Sequence, residues 1–245
     1  MKDGKKILAV VPARSGSKGI PNKNMQVLGG HSLIAWAGAV LGSKELDWID
    51  RRLLSTDSGR YAEEGRKAGL ECPFLRPADL SLDITGAVET MQHVWTQAEK
   101  HYGEIYDILL IVEPTCPLRL PSDILLCVET LLQKQADSVV TVCPVDTKFH
   151  PHKLLKIGDE KLWLAFGEGK GVKTRQSLSP YYYRNGACYA LTKKSLLERG
   201  EIFGDNTFPV VINRPLVNID ETEDLELARY YVETPGVLAT VFTLA

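Results

Sequence analysis

The 245 residues carry 29 basic against 31 acidic side chains, a net charge of −2, with 44% hydrophobic and 24% charged residues. Such a chain can bury a full core, which excludes wholly disordered and fibrous classes, and the lack of a basic excess argues against a broad nucleic-acid footprint. No apolar run approaches the roughly 18 residues that span a bilayer, and the five cysteines form no CxxC pair, so the chain reads as cytoplasmic, with reduced core thiols and with neither membrane nor nucleic acid as partner.

Residues 7–12 (ILAVVP) are a short β-branched apolar run, a buried strand by length and flanks. A Gly- and Ser-bearing loop, 13–24, follows, and Leu33, Ile34, Ala37, Val40 and Leu41 then recur at helical spacing. Residues 49–55 read as a second strand. Ser58 is placed to cap a helix that runs through Ala68 and stops at Gly69. Residues 72–75 read as a short strand. Over 85–102, Ala87, Val88, Met91, Val94, Trp95 and Ala98 form one apolar stripe, a helix. Residues 108–112 are an unbroken apolar strand of the kind buried on both faces. Pro121 and Ser122 open a further helix, and 138–142 form another strand.

This alternation predicts a parallel, doubly wound α/β sheet, a Rossmann-like single domain. It breaks near Val145, where two alternating runs, 153–157 and 161–166, flank a three-residue loop beginning Gly158-Asp159, a hairpin signal. An inserted hairpin lobe over about 146–180 follows. Residues 186–191, a helix from Lys193, a strand over 208–212 and a helix from Thr222 to Val232 complete the core, and the apolar stretch 236–245 packs on the core or on a partner.

Ligands of open α/β sheets bind beyond the carboxyl ends of the strands, and three chemically loaded segments fall there. Loop 13–24 holds two glycines, two serines and three cations. Its glycines let backbone N–H groups turn toward an anion, and Arg14 and Lys18 can neutralise phosphate oxygens, so it reads as a triphosphate cradle or as a flexible basic loop. It has no Walker A pattern. Glu113-Pro114-Thr115-Cys116-Pro117-Leu118-Arg119 is stiffened by two prolines, and its carboxylate and arginine either face the crevice or form a structural ion pair. Asn218 to Asp224 ends a strand and opens a helix. Thr222 is the expected N-cap, Glu223 and Asp224 suit the positive helix end, and Asp220 can reach into the crevice to hold Mg²⁺, which takes one or two carboxylates plus substrate phosphates. His150-Pro151-His152 reads as surface loop. With no G-x-S-x-G or similar motif, covalent catalysis lacks support.

The run Val11-Pro12-Ala13-Arg14-Ser15-Gly16-Ser17-Lys18-Gly19-Ile20-Pro21-Asn22-Lys23-Asn24 resembles the signature loop of the acylneuraminate cytidylyltransferases, the CMP-sialic acid synthetases. Ser55-Thr56-Asp57, Arg76-Pro77-Ala78-Asp79-Leu80, the Glu113 to Arg119 segment, His150-Pro151, Arg175-Gln176, Asn185-Gly186-Ala187 and Ile219-Asp220 follow in the same order. The resemblance implies transfer of a cytidylyl group from CTP to a 2-keto nonulosonic acid, with release of pyrophosphate. It implies Mg²⁺ as cofactor, with Mn²⁺ as an alternative, and a homodimer whose hairpin lobes reach toward the partner's site. Carried over by residue, Ala13, Arg14 and Asn24 would contact the nucleotide, Arg76 and Thr85 would border base and ribose, Lys18 would hold phosphates, and Asp220 would hold the metal. Lys153, Arg175 and Asn185 would lie near the sugar.

Three positions depart from the family pattern. Glu113 stands where Gln is common, Cys116 where Ser is common, and Asn218 where many relatives have Asp. Glu113 adds a negative charge where an acidic sugar must bind, which makes it a candidate catalytic group and leaves the sugar open. The general base stays open between Glu113 and the metal site. The rival readings are a same-fold cytidylyltransferase for a Kdo-type acid and a silent nucleotide-sugar binding protein.

Overall fold

The computed structural model describes residues 1–82, 85–167 and 178–234. In chain order the strands and helices are β1 (Ile7–Pro12), β2 (Val27–Leu28), β3 (His31–Ser32), α1 (Leu33–Leu41), β4 (Arg51–Ser55), α2 (Gly59–Lys67), α3 (Ala87–Tyr102), β5 (Ile108–Ile111), α4 (Pro121–Lys134), β6 (Ser138–Pro144), β7 (Leu155–Gly158), β8 (Lys161–Leu164), β9 (Tyr182–Thr192), β10 (Thr207–Val211) and α5 (Thr222–Glu233). The stretch 236–245 and Arg175 lie outside the described residues.

One six-stranded sheet, in the order β10-β6-β9-β5-β1-β4, organises the molecule. β1 pairs in parallel with both β4 and β5, and β10 in parallel with β6. β9 alone runs antiparallel, between β5 and β6. Successive side chains of a strand point to opposite faces, and β1 feeds two cores accordingly. Ile7, Ala9 and Val11 pack with α1, α2 and α4, whereas Leu8 and Val10 pack with Met91, Val94 and Trp95 of α3. This is why β1 is apolar at every position rather than at every second one. A third cluster joins Leu28, Leu33 and Trp36 to Leu225 and Ala228 of α5, which docks the last helix beside the loop that follows β1.

Several expected boundaries move for local reasons. Residues 72–75 form no strand; only Glu71 bridges to Leu53, and Pro73 has no N–H to extend the ladder. Helix α3 begins at Ala87 rather than residue 85, because Gly86 occupies the N-cap and the Thr85 hydroxyl donates to the Asp79 carbonyl at 2.8 Å. The helix expected from Lys193 is a single wide turn, Lys194–Glu198, followed by Gly200 in the left-handed region. Glu221, not Thr222, is the N-cap of α5, and the Asp224 carboxylate accepts the N–H groups of Asp220 and Glu221, both at 2.9 Å. Asp224 therefore fixes the backbone that carries Asp220.

The hairpin β7–β8 forms its own two-stranded sheet, away from the main one. Gly158 pairs with Lys161, so the loop has two residues, not three, and Asp159 (φ 47°) and Glu160 (φ 61°) both adopt the left-handed conformation that a tight twisted hairpin requires. His150, expected at the surface, is buried at the root of this hairpin. Its Nδ1 accepts the N–H of His152 at 3.1 Å and its Nε2 lies 3.0 Å from the Ser179 carbonyl.

Candidate active site

A cavity of about 730 Å³ opens at the carboxyl ends of β1 and β5. From these neighbours the chain leaves in opposite directions along the sheet, β1 toward β4 and β5 toward β6, and such a switch in strand order is the place where α/β sheets receive ligands. The antiparallel β9 brings its amino-terminal part to the same edge, since Tyr189 pairs with Ile111 and Glu113 N–H donates to the Gly186 carbonyl at 3.3 Å.

Loop 13–24 is shaped by its own polar groups. Ala13 N–H donates to the Ser55 carbonyl at 2.9 Å, and Ser15 donates through both its N–H (2.8 Å) and its hydroxyl (2.9 Å) to Asp57. The buried Asn24 side chain donates to the Arg14 carbonyl at 3.1 Å. Gly19 lies so close to the far side of the cleft that a Cβ there would meet the Asp220 carbonyl oxygen at 2.8 Å. The loop thus turns back on itself and presents Arg14, Lys18 and Lys23 to the cavity. Deeper on the same side, Arg76 is anchored by Nε to the Ser55 hydroxyl (3.1 Å) and by Nη2 to the Ser55 carbonyl (2.7 Å). Burial pulls its pKa down, and the Asp57 carboxylate works against that pull.

Glu113 stands at the end of β5 with its carboxyl facing the cavity. Burial pushes its pKa up. The buried Arg119 guanidinium and a hydrogen bond with Tyr189 oppose the rise, Asp220 adds to it, and Arg184 opposes it. Room for the carboxyl exists because residue 186 is glycine at φ 71°; a Cβ there would lie 2.5 Å from Glu113 Oε2. Arg119 does not face the crevice. It turns inward, donating from Nε to the Ala187 carbonyl (2.9 Å) and from Nη2 to the carbonyls of Glu113 and Gly186.

The raised Glu113 pKa has a sign that can be checked. A carboxyl that holds its proton more tightly folded than unfolded makes the folded state bind more protons between the ordinary carboxylate range and the raised value, so stability falls as pH rises through that window. Glu113→Gln removes the dependence. Its melting temperature is expected above the parent's at pH 8, with the gap closing as pH drops below the ordinary range; a gap that widens on acidification would show that Arg119 stabilises the ionised form more than burial opposes it.

The cavity brings together Arg14, Lys18, Asn24, Arg76, Thr85, Glu113 and Asp220. Three other expected residues stand elsewhere. Ala13 is fully buried beneath the loop, because its N–H continues the pairing of β1 with β4. Lys153 is exposed in the turn Pro151–Lys153 at the hairpin root, outside this cavity. Asn185, expected near the sugar, is buried in a bulge of β9. Val140 pairs with Tyr189 but Val142 pairs with Arg184, so four β9 residues oppose Thr141 alone. Asn185 fills that bulge. Its Oδ1 accepts the Thr141 hydroxyl (2.7 Å) and Ala187 N–H (3.0 Å), and its Nδ2 points to Cys143 Sγ (3.3 Å).

The structure adds Lys23, Arg184 and Tyr189 to the lining. Lys23 donates to Asp220 at 2.8 Å. Asn218 is held by the Thr115 hydroxyl at 2.7 Å. Among the described residues no three His, Cys, Asp or Glu side chains gather as a metal cage. The exposed Asp220 carboxylate, beside the cations of loop 13–24 that line the cavity, fits the looser demand of Mg²⁺, which keeps one or two carboxylates and fills the rest with substrate and water. No described helix is long and apolar enough to cross a membrane.

A cytidylyltransferase family model matches residues 8–235. The chain is 27% identical over 238 residues to the post-translational flagellin modification protein B of Campylobacter coli, covering 96% of this chain and 99% of that one. It is 29% identical over 215 residues to the CMP-N,N'-diacetyllegionaminic acid synthase of Legionella pneumophila, covering 88% and 90%. Its fold is similar to that of a CMP:2-keto-3-deoxy-manno-octonic acid synthetase complexed with CTP, at a TM-score of 0.67 and 15% identity over 93% of this chain and 98% of the other. With a match that runs from β1 through α5 and leaves only the two ends outside, the chain belongs to the cytidylyltransferase family.

Proposed function

We propose that the protein transfers a cytidylyl group from CTP to a nonulosonic acid, giving the CMP-sugar and pyrophosphate. The observation that carries this reading is the polarity of the cavity at the carboxyl ends of β1 and β5. Arg14, Lys18 and Lys23 face it from the loop after β1, and Glu113, Tyr189 and Arg184 face it from β5 and β9. A triphosphate suits the first wall, and a hydroxylated acid suits the second. The similarity to a legionaminic acid CMP synthase along most of both chains supports the acceptor class.

No side chain need bond to the nucleotide. The acceptor hydroxyl attacks the α-phosphorus in line and pyrophosphate leaves, so the protein's contribution is positioning and charge neutralisation. Arg14 and Lys18 meet the charge that grows on the leaving pyrophosphate. Arg76 and Thr85 border the nucleoside, and Asn24 holds the loop through Arg14. Glu113, with its raised proton affinity, accepts the proton of the attacking hydroxyl. Asp220 would hold Mg²⁺, or Mn²⁺ in its place, and a metal there would supply Lewis-acid activation of the phosphate. The five cysteines are all free thiols, and the reading sets the reaction in the cytoplasm. The hairpin leaves Ile157, Leu162 and Trp163 exposed, which supports pairing of two copies through the lobe; light scattering giving the mass of one chain would remove that part.

Pyrophosphate release with Mg²⁺ tests the whole reading. Four nucleoside triphosphates are crossed with N-acetylneuraminate, Kdn, legionaminate, pseudaminate and Kdo. Release with CTP and a nine-carbon acid is expected; release with Kdo alone, or CTP binding without release across the panel, would overturn it.

A further inference from the structure

Lys23 and Asp220 face the same cavity and are bound to each other, Nζ to Oδ1, at 2.8 Å. The pair is lopsided. The Lys23 side chain is 17% exposed and the Asp220 side chain 67%. The loop therefore holds the ammonium, and the carboxylate reaches it from the solvent side. Neither backbone depends on this bond. Asp220 is set by Asp224, which accepts its N–H at 2.9 Å, and Lys23 lies in a turn closed by Met25 N–H to the Asn22 carbonyl (2.8 Å) and Gln26 N–H to the Lys23 carbonyl (3.0 Å). The ion pair can open without disturbing the fold that presents it.

An ammonium on a carboxylate oxygen fills the position that a hard dication would take, and two cations at one oxygen repel. In the nucleotide-free protein Asp220 is thus already neutralised. A triphosphate changes the balance, because it offers Lys23 several anionic oxygens and delivers a doubly charged cation to Asp220. We infer that Lys23 is a place-holder: it occupies the cation position at Asp220 until the nucleotide arrives and then passes to the phosphates, so that the metal enters with the nucleotide rather than ahead of it. Lys23 is then a positioning residue that sets the order of binding. The inference rests on the assignment of Asp220 as the metal carboxylate.

Mn²⁺ is the probe, with its unbound fraction read by electron paramagnetic resonance on the full chain. Without nucleotide, Lys23→Met is expected to bind Mn²⁺ at least about 5-fold more tightly than the parent, the gain that follows from removing a partly exposed ion-pair competitor. Lys23→Arg keeps the pairing charge and stays near the parent, and Lys23→Met/Asp220→Asn loses the gain. With CTP present, the parent's Mn²⁺ affinity rises and Asp220→Asn lowers it. If Asp220→Asn leaves the CTP-supported affinity unchanged, the metal assignment beneath the inference fails. If Asp220→Asn weakens it but Lys23→Met binds Mn²⁺ without nucleotide no better than the parent, the place-holder role fails and the metal assignment stands. A melting temperature for Lys23→Met close to the parent's shows that the comparison is made on folded protein.

Discussion

Lys18→Ala is expected to lower turnover by about 10²–10³, the usual loss when one preorganised donor to developing charge is removed, while the melting temperature stays within about 2 °C of the parent's. Lys18 is exposed on the rim of the cavity, in a loop held in shape by the hydrogen bonds of Ser15 to Asp57 and of Asn24 to the Arg14 carbonyl. Surface substitutions away from such anchors usually change stability by less than about 0.5 kcal/mol. Chemistry and folding are therefore separable at this position. Charge on the β- and γ-phosphates is present in bound CTP but grows as pyrophosphate departs, so kcat should fall more than the CTP affinity. A kcat within about 3-fold of the parent, with CTP affinity reduced, would mean that Lys18 holds the ground state only, an interaction of uniform binding.

The parts of the fold legible in the sequence are those where one physical demand dominates. β1 and β5 are apolar at every position because both faces are covered, and α3 shows its stripe because only one face is. The direction of β9 leaves no such trace, since a strand buried on both faces has the same residue pattern whichever way it runs. Its consequence is large. An antiparallel strand brings its amino-terminal part to the sheet edge where parallel strands end, so Arg184 and Tyr189 reach the cavity although they precede the strand's carboxyl end. A search confined to carboxyl-end loops passes over them. Asn185 shows the opposite case, a polar residue in a recognisable motif that the structure spends on a β-bulge. Lys23 is one of three cations in loop 13–24, and nothing in the sequence distinguishes it from the other two; its partner Asp220 lies 197 residues away.

Replacing Arg119 by Met is expected to cost about 3–5 kcal/mol, the usual penalty for removing one partner from a buried charged network, and to lower the melting temperature by roughly 6–20 °C for a chain of this size. Arg119 is fully buried, and its guanidinium is the donor to the carbonyls of Glu113, Gly186 and Ala187. Those carbonyls belong to the end of β5 and the bulged part of β9, the two segments that bring Glu113, Arg184 and Tyr189 to the cavity. Met fills much of the same volume but donates nothing. The Gly186 and Glu113 carbonyls keep the N–H groups of Glu113 and Cys116, whereas the Ala187 carbonyl loses its guanidinium donor, a loss of about 1–3 kcal/mol. The loss also reaches the site. Arg119 exerts the largest pull holding the Glu113 pKa down against burial, so its removal raises that pKa further. The activity of Arg119→Met, measured well below its melting temperature, should then shift its acidic limb to higher pH than the parent's. Unchanged stability would show that the carbonyls find other donors; lowered stability with an unmoved acidic limb would confine Arg119 to holding the backbone and take Glu113 out of the proton transfer that limits the rate at low pH.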